Sequence, residues 1–126
     1  MLVNHISKTR ILLLFLTLAI VSSSGVWATG QKIFDIQIVE REVDADHKLI
    51  RVVQGDEVVF VWHTDETVSV HLHGYDIEQQ VVSGQPARQS FTAHATGRFP
   101  VTSHGFANEH DTHGHRTLLY FEVYPE

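Results

Sequence analysis

Short runs of alternating apolar and polar residues, separated by turn residues, are the feature that most limits the fold of this chain. Phe34, Ile36 and Ile38 alternate with Asp35 and Gln37. Successive side chains of a β-strand point to opposite faces, so this spacing indicates a strand with one buried face. Residues 31–126 contain no stretch with a clear helical period. The pattern therefore predicts a domain built from β-strands.

A second kind of run indicates a strand that is buried on both faces. Val58, Phe60 and Trp62 alternate with Val59 and Val61, so that strand is apolar on both sides. Such a strand is expected near the middle of a sheet. Including these two, the predicted strands cover residues 34–38, 49–53, 58–63, 68–73, 89–93, 99–103 and 117–124.

Turn signals separate these strands. Ser83, Gly84 and Pro86 mark one turn, and Gly97 belongs to another. Pro100 lies within a strand, where it lacks an N–H donor, so it predicts a sheet edge or a strand end. Seven or eight short strands with frequent turns favour an antiparallel sandwich or barrel.

The N-terminus has the pattern of an export signal. Lys8 and Arg10 precede an apolar run over residues 11–21, and a small residue, Ala28, follows. The run is shorter than the roughly 20 residues that a membrane-spanning helix needs. We therefore predict a signal peptide over residues 1–28, one domain over residues 29–126, and a periplasmic or secreted location without a further membrane segment.

The composition excludes several kinds of site. The chain has no cysteine, so disulfides, iron–sulfur clusters, blue-copper thiolate sites and cysteine nucleophiles are excluded. After Lys8 and Arg10 are removed with the signal, seven basic residues face fifteen acidic ones, a formal charge of −8. This acidic balance argues against nucleic acid and anionic membranes as partners.

Histidines are the candidate functional residues. His71 and His73 are two residues apart on a predicted strand, so both side chains face the same side. His104 ends one predicted strand and His115 begins the next, which places them at the same end of a sandwich. Because imidazole is the commonest metal ligand, two such groups indicate a metal site. Two further candidates, His110 and His113, lie between His104 and His115 in the sequence.

The donor set favours copper. With no cysteine, and with Met1 as the only methionine, any site uses nitrogen and oxygen. Such a site suits Cu(II), with Zn(II) as the alternative, and copper is generally bound more tightly. His47, His63 and His94 are interpreted as surface residues.

The residues resemble the cupredoxin-like domain family over the whole mature chain. In this resemblance, the His-x-His-Gly-Tyr-Asp stretch that begins at His71 stands where cupredoxins place their first ligand histidine. His104 stands at the position of their cysteine, His115 at that of their second histidine, and Leu118 at that of their axial methionine. The resemblance implies a Greek-key β-sandwich with a metal at one end. It does not imply a blue-copper electron carrier, since the thiolate is missing.

These observations together predict a copper-binding protein that is not an enzyme. We expect one ion held by His73, His104 and His115, with His71 as a further ligand and His110 and His113 in a second site or a transfer route. The predicted role is storage, delivery or tolerance of copper, in a monomer that exchanges the ion with a donor or acceptor protein. Two alternatives stay open: a redox-active copper protein, and an interaction module without metal.

Overall fold

The structure, a computed structural model, describes residues 30–106 and 115–126. The predicted signal peptide over residues 1–28, the domain start at residue 29, and the candidate ligands His110 and His113 lie outside the described residues. No helix in the described ranges is long and apolar enough to cross a membrane.

The described chain consists almost entirely of strands. A single 3₁₀ turn, Ala45–His47, interrupts them after the second strand. The strands are β1 Lys32–Val39, β2 Glu42–Val43, β3 Leu49–Val53, β4 Glu57–Thr64, β5 Val68–Leu72, β6 Ile77–Val81, β7 Ala87–Thr92, β8 Gly97–His104 and β9 Arg116–Tyr124.

These strands form two sheets, and the predicted β-sandwich is confirmed. One sheet has the order β2-β1-β4-β7, and the other has the order β3-β9-β8-β5-β6. Five strand pairs are antiparallel, whereas β1 with β4 and β3 with β9 are parallel. The fold is therefore mostly antiparallel, with two parallel pairs that the sequence pattern did not indicate.

Aromatic side chains join the two sheets across the core. Phe60 of β4 lies edge-on to Phe121 of β9, with ring centroids 5.6 Å apart, and edge-on to Trp62 at 5.5 Å. Edge-to-face packing places the positive ring edge against a negative ring face. Val59, on the other side of β4, is also fully buried. The prediction that this strand lies inside a sheet is confirmed, and its second face is buried at Val59 but only partly buried at Val61 and His63.

The position of Pro100 differs from its prediction. The strand that contains it, β8, lies between β9 and β5 and not at a sheet edge. Pairing of β8 with β5 ends at Val101, opposite Leu72, so the missing N–H of Pro100 falls just beyond that ladder. The Pro100 carbonyl still accepts the N–H of His73 at 3.1 Å. An interior strand accommodates this proline because the neighbouring strand ends beside it.

Gly74, two residues after the end of β5, has a backbone conformation that glycine adopts without strain. Its φ is 80°, and a Cβ built there would lie 2.3 Å from Cδ1 of Phe99 on β8. Phe99 itself packs edge-on against Tyr75, with ring centroids 5.1 Å apart. The turn after His73 therefore approaches β8 more closely than a side chain allows.

We expect Gly74→Ala to lower the free energy of unfolding more than Gly84→Ala. Gly84 also has a positive φ, 75°, but a Cβ added there would meet no other atom within 4 Å, so it reports backbone strain alone. That strain costs about 1–2 kcal/mol, and the collision with Phe99 adds about 1–3 kcal/mol. Urea denaturation of both variants measures the difference, and equal losses would contradict the close approach.

Candidate metal centre

The outer face of β5 carries two of the candidate histidines. Val68, Val70 and Leu72 point into the core and are fully buried, so the alternate residues face outward. His71 is half-buried on this outer face, and His73 follows the strand by one residue. Their ring centroids are 4.2 Å apart. The two imidazoles form a contacting pair on the surface of the five-stranded sheet.

The neighbouring strand β8 holds His73 in place. Thr102 lies opposite His71 in the antiparallel register, and its Oγ1 is 2.8 Å from Nε2 of His73. The His73 N–H donates to the Pro100 carbonyl. The backbone and the side chain of His73 are therefore both fixed by β8.

The second pair of histidines lies where β8 meets β9. His104 is the last residue of β8, and His115 immediately precedes β9. Their ring centroids are 5.6 Å apart, in an edge-on arrangement. Antiparallel pairing of β8 with β9 places both residues at the same end of the sheet.

Carboxylates stand beside both pairs. Glu78 of β6 contacts Nε2 of His104 through Oε1 at 2.9 Å, and the same oxygen accepts the Ser69 hydroxyl at 2.7 Å. Asp76 Oδ1 is 3.5 Å from Nε2 of His71. Hydrogen bonds, first from Ser69 and then from His104, lower the pKa of Glu78, so it is a carboxylate near neutral pH.

Electrostatics link the two pairs. Burial lowers the pKa of His73 below its ordinary value of 6.5, and the charges of His71, His115 and His104 lower it further. The register of β5 with β8, in which Ser69 lies opposite His104 and His71 lies opposite Thr102, places the two pairs in one region of the surface. The lowered pKa of His73 favours its neutral, metal-binding form.

The ring nitrogens, however, are turned toward protein partners. Within residues 30–106 and 115–126, no three or more His, Asp or Glu side chains are arranged to hold a metal ion. His73 faces Thr102, His104 faces Glu78, and His71 faces Asp76. Metal binding therefore requires these side chains to rotate or a further donor to join them.

One observation fits a metal ligand. Nδ1 of His104 is buried and has no hydrogen-bond partner, although the side chain as a whole is 35% exposed. A buried polar atom without a partner is uncommon and calls for an explanation such as an ion or water. Imidazole nitrogen suits copper and zinc, so the residues present fit such an ion.

The remaining histidines lie elsewhere. His47 contacts Asp44 at 2.9 Å within the 3₁₀ turn, and His63 contacts Asp35 at 3.3 Å on the four-stranded sheet. His94 packs against the Tyr75 ring, with centroids 4.6 Å apart. In the described structure each of these three stands apart from the two histidine pairs, on its own local partner.

Sequence reasoning missed three residues that shape this region. Thr102 of β8 contacts His73, Glu78 of β6 contacts His104, and Ser69 of β5 holds Glu78 through its hydroxyl. Ser69 shares the outward spacing of His71 and His73, which is a signal for its position. Nothing in the sequence indicates the pairing of β6 with β5, so Glu78 could not be placed.

Comparison with known proteins gives a fold but no family model. No protein-family model matches the sequence, and no curated protein matches it. Among solved structures, the blue copper oxidase from Nitrosomonas europaea matches with a TM-score of 0.61 at 17% identity, over 77% of this chain and 40% of that one. A heme-copper terminal oxidase dimer matches with a TM-score of 0.59 at 19% identity, over 75% of this chain and 65% of that one.

A third match spans most of a single domain. The periplasmic domain of subunit II of cytochrome oxidase from Bradyrhizobium japonicum matches with a TM-score of 0.56 at 10% identity, over 75% of this chain and 84% of that one. These similarities define the fold as a cupredoxin-like domain, which confirms the resemblance seen in the sequence. The chain spans well under two thirds of the blue copper oxidase, so that protein's activity does not transfer to it.

We expect His73 to titrate below pH 6.5 in the folded chain without metal, since its pKa is lowered. Protonation of His73 then favours the unfolded state. The contribution of His73 to the free energy of unfolding is therefore complete above about pH 6.5 and is lost as pH falls through the pKa of the folded state. NMR titration of the histidine rings measures the pKa. His63→Gln should leave the His73 titration unchanged, and a His73 pKa above 6.5 would contradict the burial argument.

Proposed function

We propose that this chain is an exported copper-binding protein that stores, delivers or buffers copper. In this proposal His73, His104 and His115 bind one copper ion, with His71 as a further ligand. The role is binding and not catalysis. His110 and His113, in the segment between the described ranges, would form a second, weaker site or pass the ion to the first.

The observation that carries this proposal is the gathering of four imidazoles from distant parts of the sequence. Contacts at 4.2 Å and 5.6 Å form the two pairs, and the pairing of β5 with β8 places the pairs on neighbouring strands. The buried Nδ1 of His104 adds a nitrogen donor without a partner. Histidines placed at random over the surface would not be expected to group in this way.

Copper is favoured by the chemistry of the donors. The chain has no cysteine, so a thiolate cannot select another metal. Nitrogen donors bind Cu(II) more tightly than the other divalent ions of the first transition row, with Zn(II) the competing candidate. Structurally similar proteins include a copper-binding protein, matched with a TM-score of 0.54 at 10% identity, over 75% of this chain and 88% of that one.

Export is supported by the sequence and by one comparison. Lys8, Arg10 and the apolar run over residues 11–21 have the pattern of a secretion signal. One similar structure is described as a periplasmic domain. A periplasmic or secreted location also exposes the protein to copper outside the cytoplasm.

The strands contribute rigidity to the proposed site. His73 is fixed to β8 through its N–H and its ring, and its lowered pKa keeps the ring neutral near pH 7. Neutral rings are required because only an unprotonated nitrogen donates to the metal. Bound copper, when present, would add its charge to a region that Glu78 and Asp76 already make acidic.

We expect the purified chain to bind one Cu(II) tightly, with a nitrogen-rich EPR spectrum. His73→Ala and His104→Ala should each weaken binding on the order of 100-fold or more, because each removes a direct ligand. His63→Ala is the matched control, since His63 also contacts a carboxylate but lies on the other sheet. Titration against a copper chelator measures affinity.

Two results would contradict the proposal. The first is a wild-type chain with no tight copper site. The second is copper affinity that falls as much in His63→Ala as in His73→Ala and His104→Ala.

We also expect copper affinity to fall as pH drops below about 6.5, because protons compete for imidazole ligands. The same chelator competition at about pH 7.5 and about pH 5 measures the change. Affinity that is the same at both values would exclude histidine ligation. Asp and Glu ligands alone would lose affinity only near their own, lower pKa values.

A further inference from the structure

Glu78 gives His104 a short carboxylate contact that the other described histidines in this region lack. One carboxylate oxygen, Oε1, accepts the Ser69 hydroxyl at 2.7 Å and meets Nε2 of His104 at 2.9 Å. A carboxylate only accepts hydrogen bonds, so Nε2 must carry the hydrogen. The contact therefore selects one tautomer of the His104 ring.

The selected tautomer leaves the lone pair on Nδ1. That atom is buried and has no hydrogen-bond partner. Leaving a buried acceptor unpaired is unfavourable, so a ring that only needed stability would turn Nδ1 to solvent or to a donor. The structure thus has a metal-competent nitrogen on one side of the ring and a carboxylate on the other.

The strand register makes this arrangement rigid. Ser69 of β5 lies opposite His104 of β8, and the next outward residue of β5, His71, lies opposite Glu78 of β6. The contacts thus link three adjacent strands by backbone ladders. His73, by comparison, meets a neutral hydroxyl on Thr102, and His71 meets Asp76 at the longer distance of 3.5 Å.

We propose that Glu78, held by Ser69, is a positioning residue that fixes His104 with its hydrogen on Nε2 and presents Nδ1 to the metal. This inference rests on the proposed copper site and adds how one ligand is prepared. A carboxylate behind a ligand histidine orients the ring and makes its other nitrogen a stronger donor. Glu78 acts through His104 and does not bind the ion itself.

The test is a double-mutant cycle on copper affinity. Glu78→Gln keeps the shape of the side chain and removes its charge, and we expect it to weaken Cu(II) binding about 10- to 100-fold. In a His104→Ala background, Glu78→Gln should cause no further loss, because the residue through which it acts is gone. Ser69→Ala should give a smaller loss in the same direction.

Glu122→Gln is the matched control. Glu122 Oε2 also accepts two contacts, from the Tyr124 hydroxyl at 2.8 Å and from Arg51 at 3.0 Å, and among the described residues it contacts no histidine. We expect its copper affinity to match wild type. Thermal unfolding of each variant verifies that it is folded before the titration.

Nitrogen NMR of the histidine rings, without metal, gives a readout independent of binding. His104 should be held as the Nε2–H tautomer in wild type and should become a mixture in Glu78→Gln. With copper bound, the nitrogen couplings in the EPR spectrum should also change in Glu78→Gln and stay unchanged in Glu122→Gln.

Each outcome separates the two proposals. A wild-type chain that takes up no copper overturns the copper site and this inference with it. A wild-type chain that binds copper while Glu78→Gln binds equally well overturns only the role of Glu78. Equal losses from Glu78→Gln with and without His104 would show that Glu78 acts directly, which also overturns the positioning role.

Discussion

The antiparallel pairing of β5 with β8 is the constraint on which the candidate site depends. In its register Leu72 lies opposite Val101 and Val70 opposite Ser103, and all four side chains are buried. The same register places His71 beside Thr102 on the outer face. A slip of one residue would exchange the two faces, burying imidazoles and exposing the core, so the apolar residues hold the histidines in position.

The core supports this pairing without covalent links. The chain has no cysteine, so stability comes from packing, in which Phe60, Trp62 and Phe121 join the sheets through edge-on contacts. Tyr75, two residues after His73, packs against Phe121 of this cluster and donates its hydroxyl to the Ala95 carbonyl at 2.8 Å. These contacts anchor the turn that follows His73 to the core.

The chemistry of the region comes from four imidazoles, three of which contact a side-chain oxygen. His73 has the Thr102 hydroxyl, His104 has Glu78, and His71 has Asp76. The Glu78 carboxylate only accepts, so it sets which nitrogen of His104 carries hydrogen, whereas the Thr102 hydroxyl can donate to or accept from His73. A cupredoxin-like fold without a thiolate can in this way still prepare nitrogen donors, although its electronic properties would differ from those of a blue-copper centre.

Alternation in the sequence was enough to predict most strands and the sandwich. Val68, Val70 and Leu72 alternate with outward residues because every second side chain of a strand meets the core, and this local rule needs no knowledge of the partner strand. It failed for β6, Ile77–Val81, where the polar Gln79 occupies an inward position between Ile77 and Val81 and hides the period. It also failed for Pro100, because the end of a neighbouring strand cannot be read from the residues around a proline.

The candidate ligands show the same division. The sequence by itself determined that His71 and His73 share a strand face and that no sulfur ligand exists. Only the tertiary structure decided that Glu78 reaches His104, that Thr102 reaches His73, and that Nδ1 of His104 is left without a partner. These contacts join residues 26 and 29 positions apart in the chain, and such contacts depend on which strands pair and in what register. That choice is made by the packing of the whole core, so no local pattern of residues contains it.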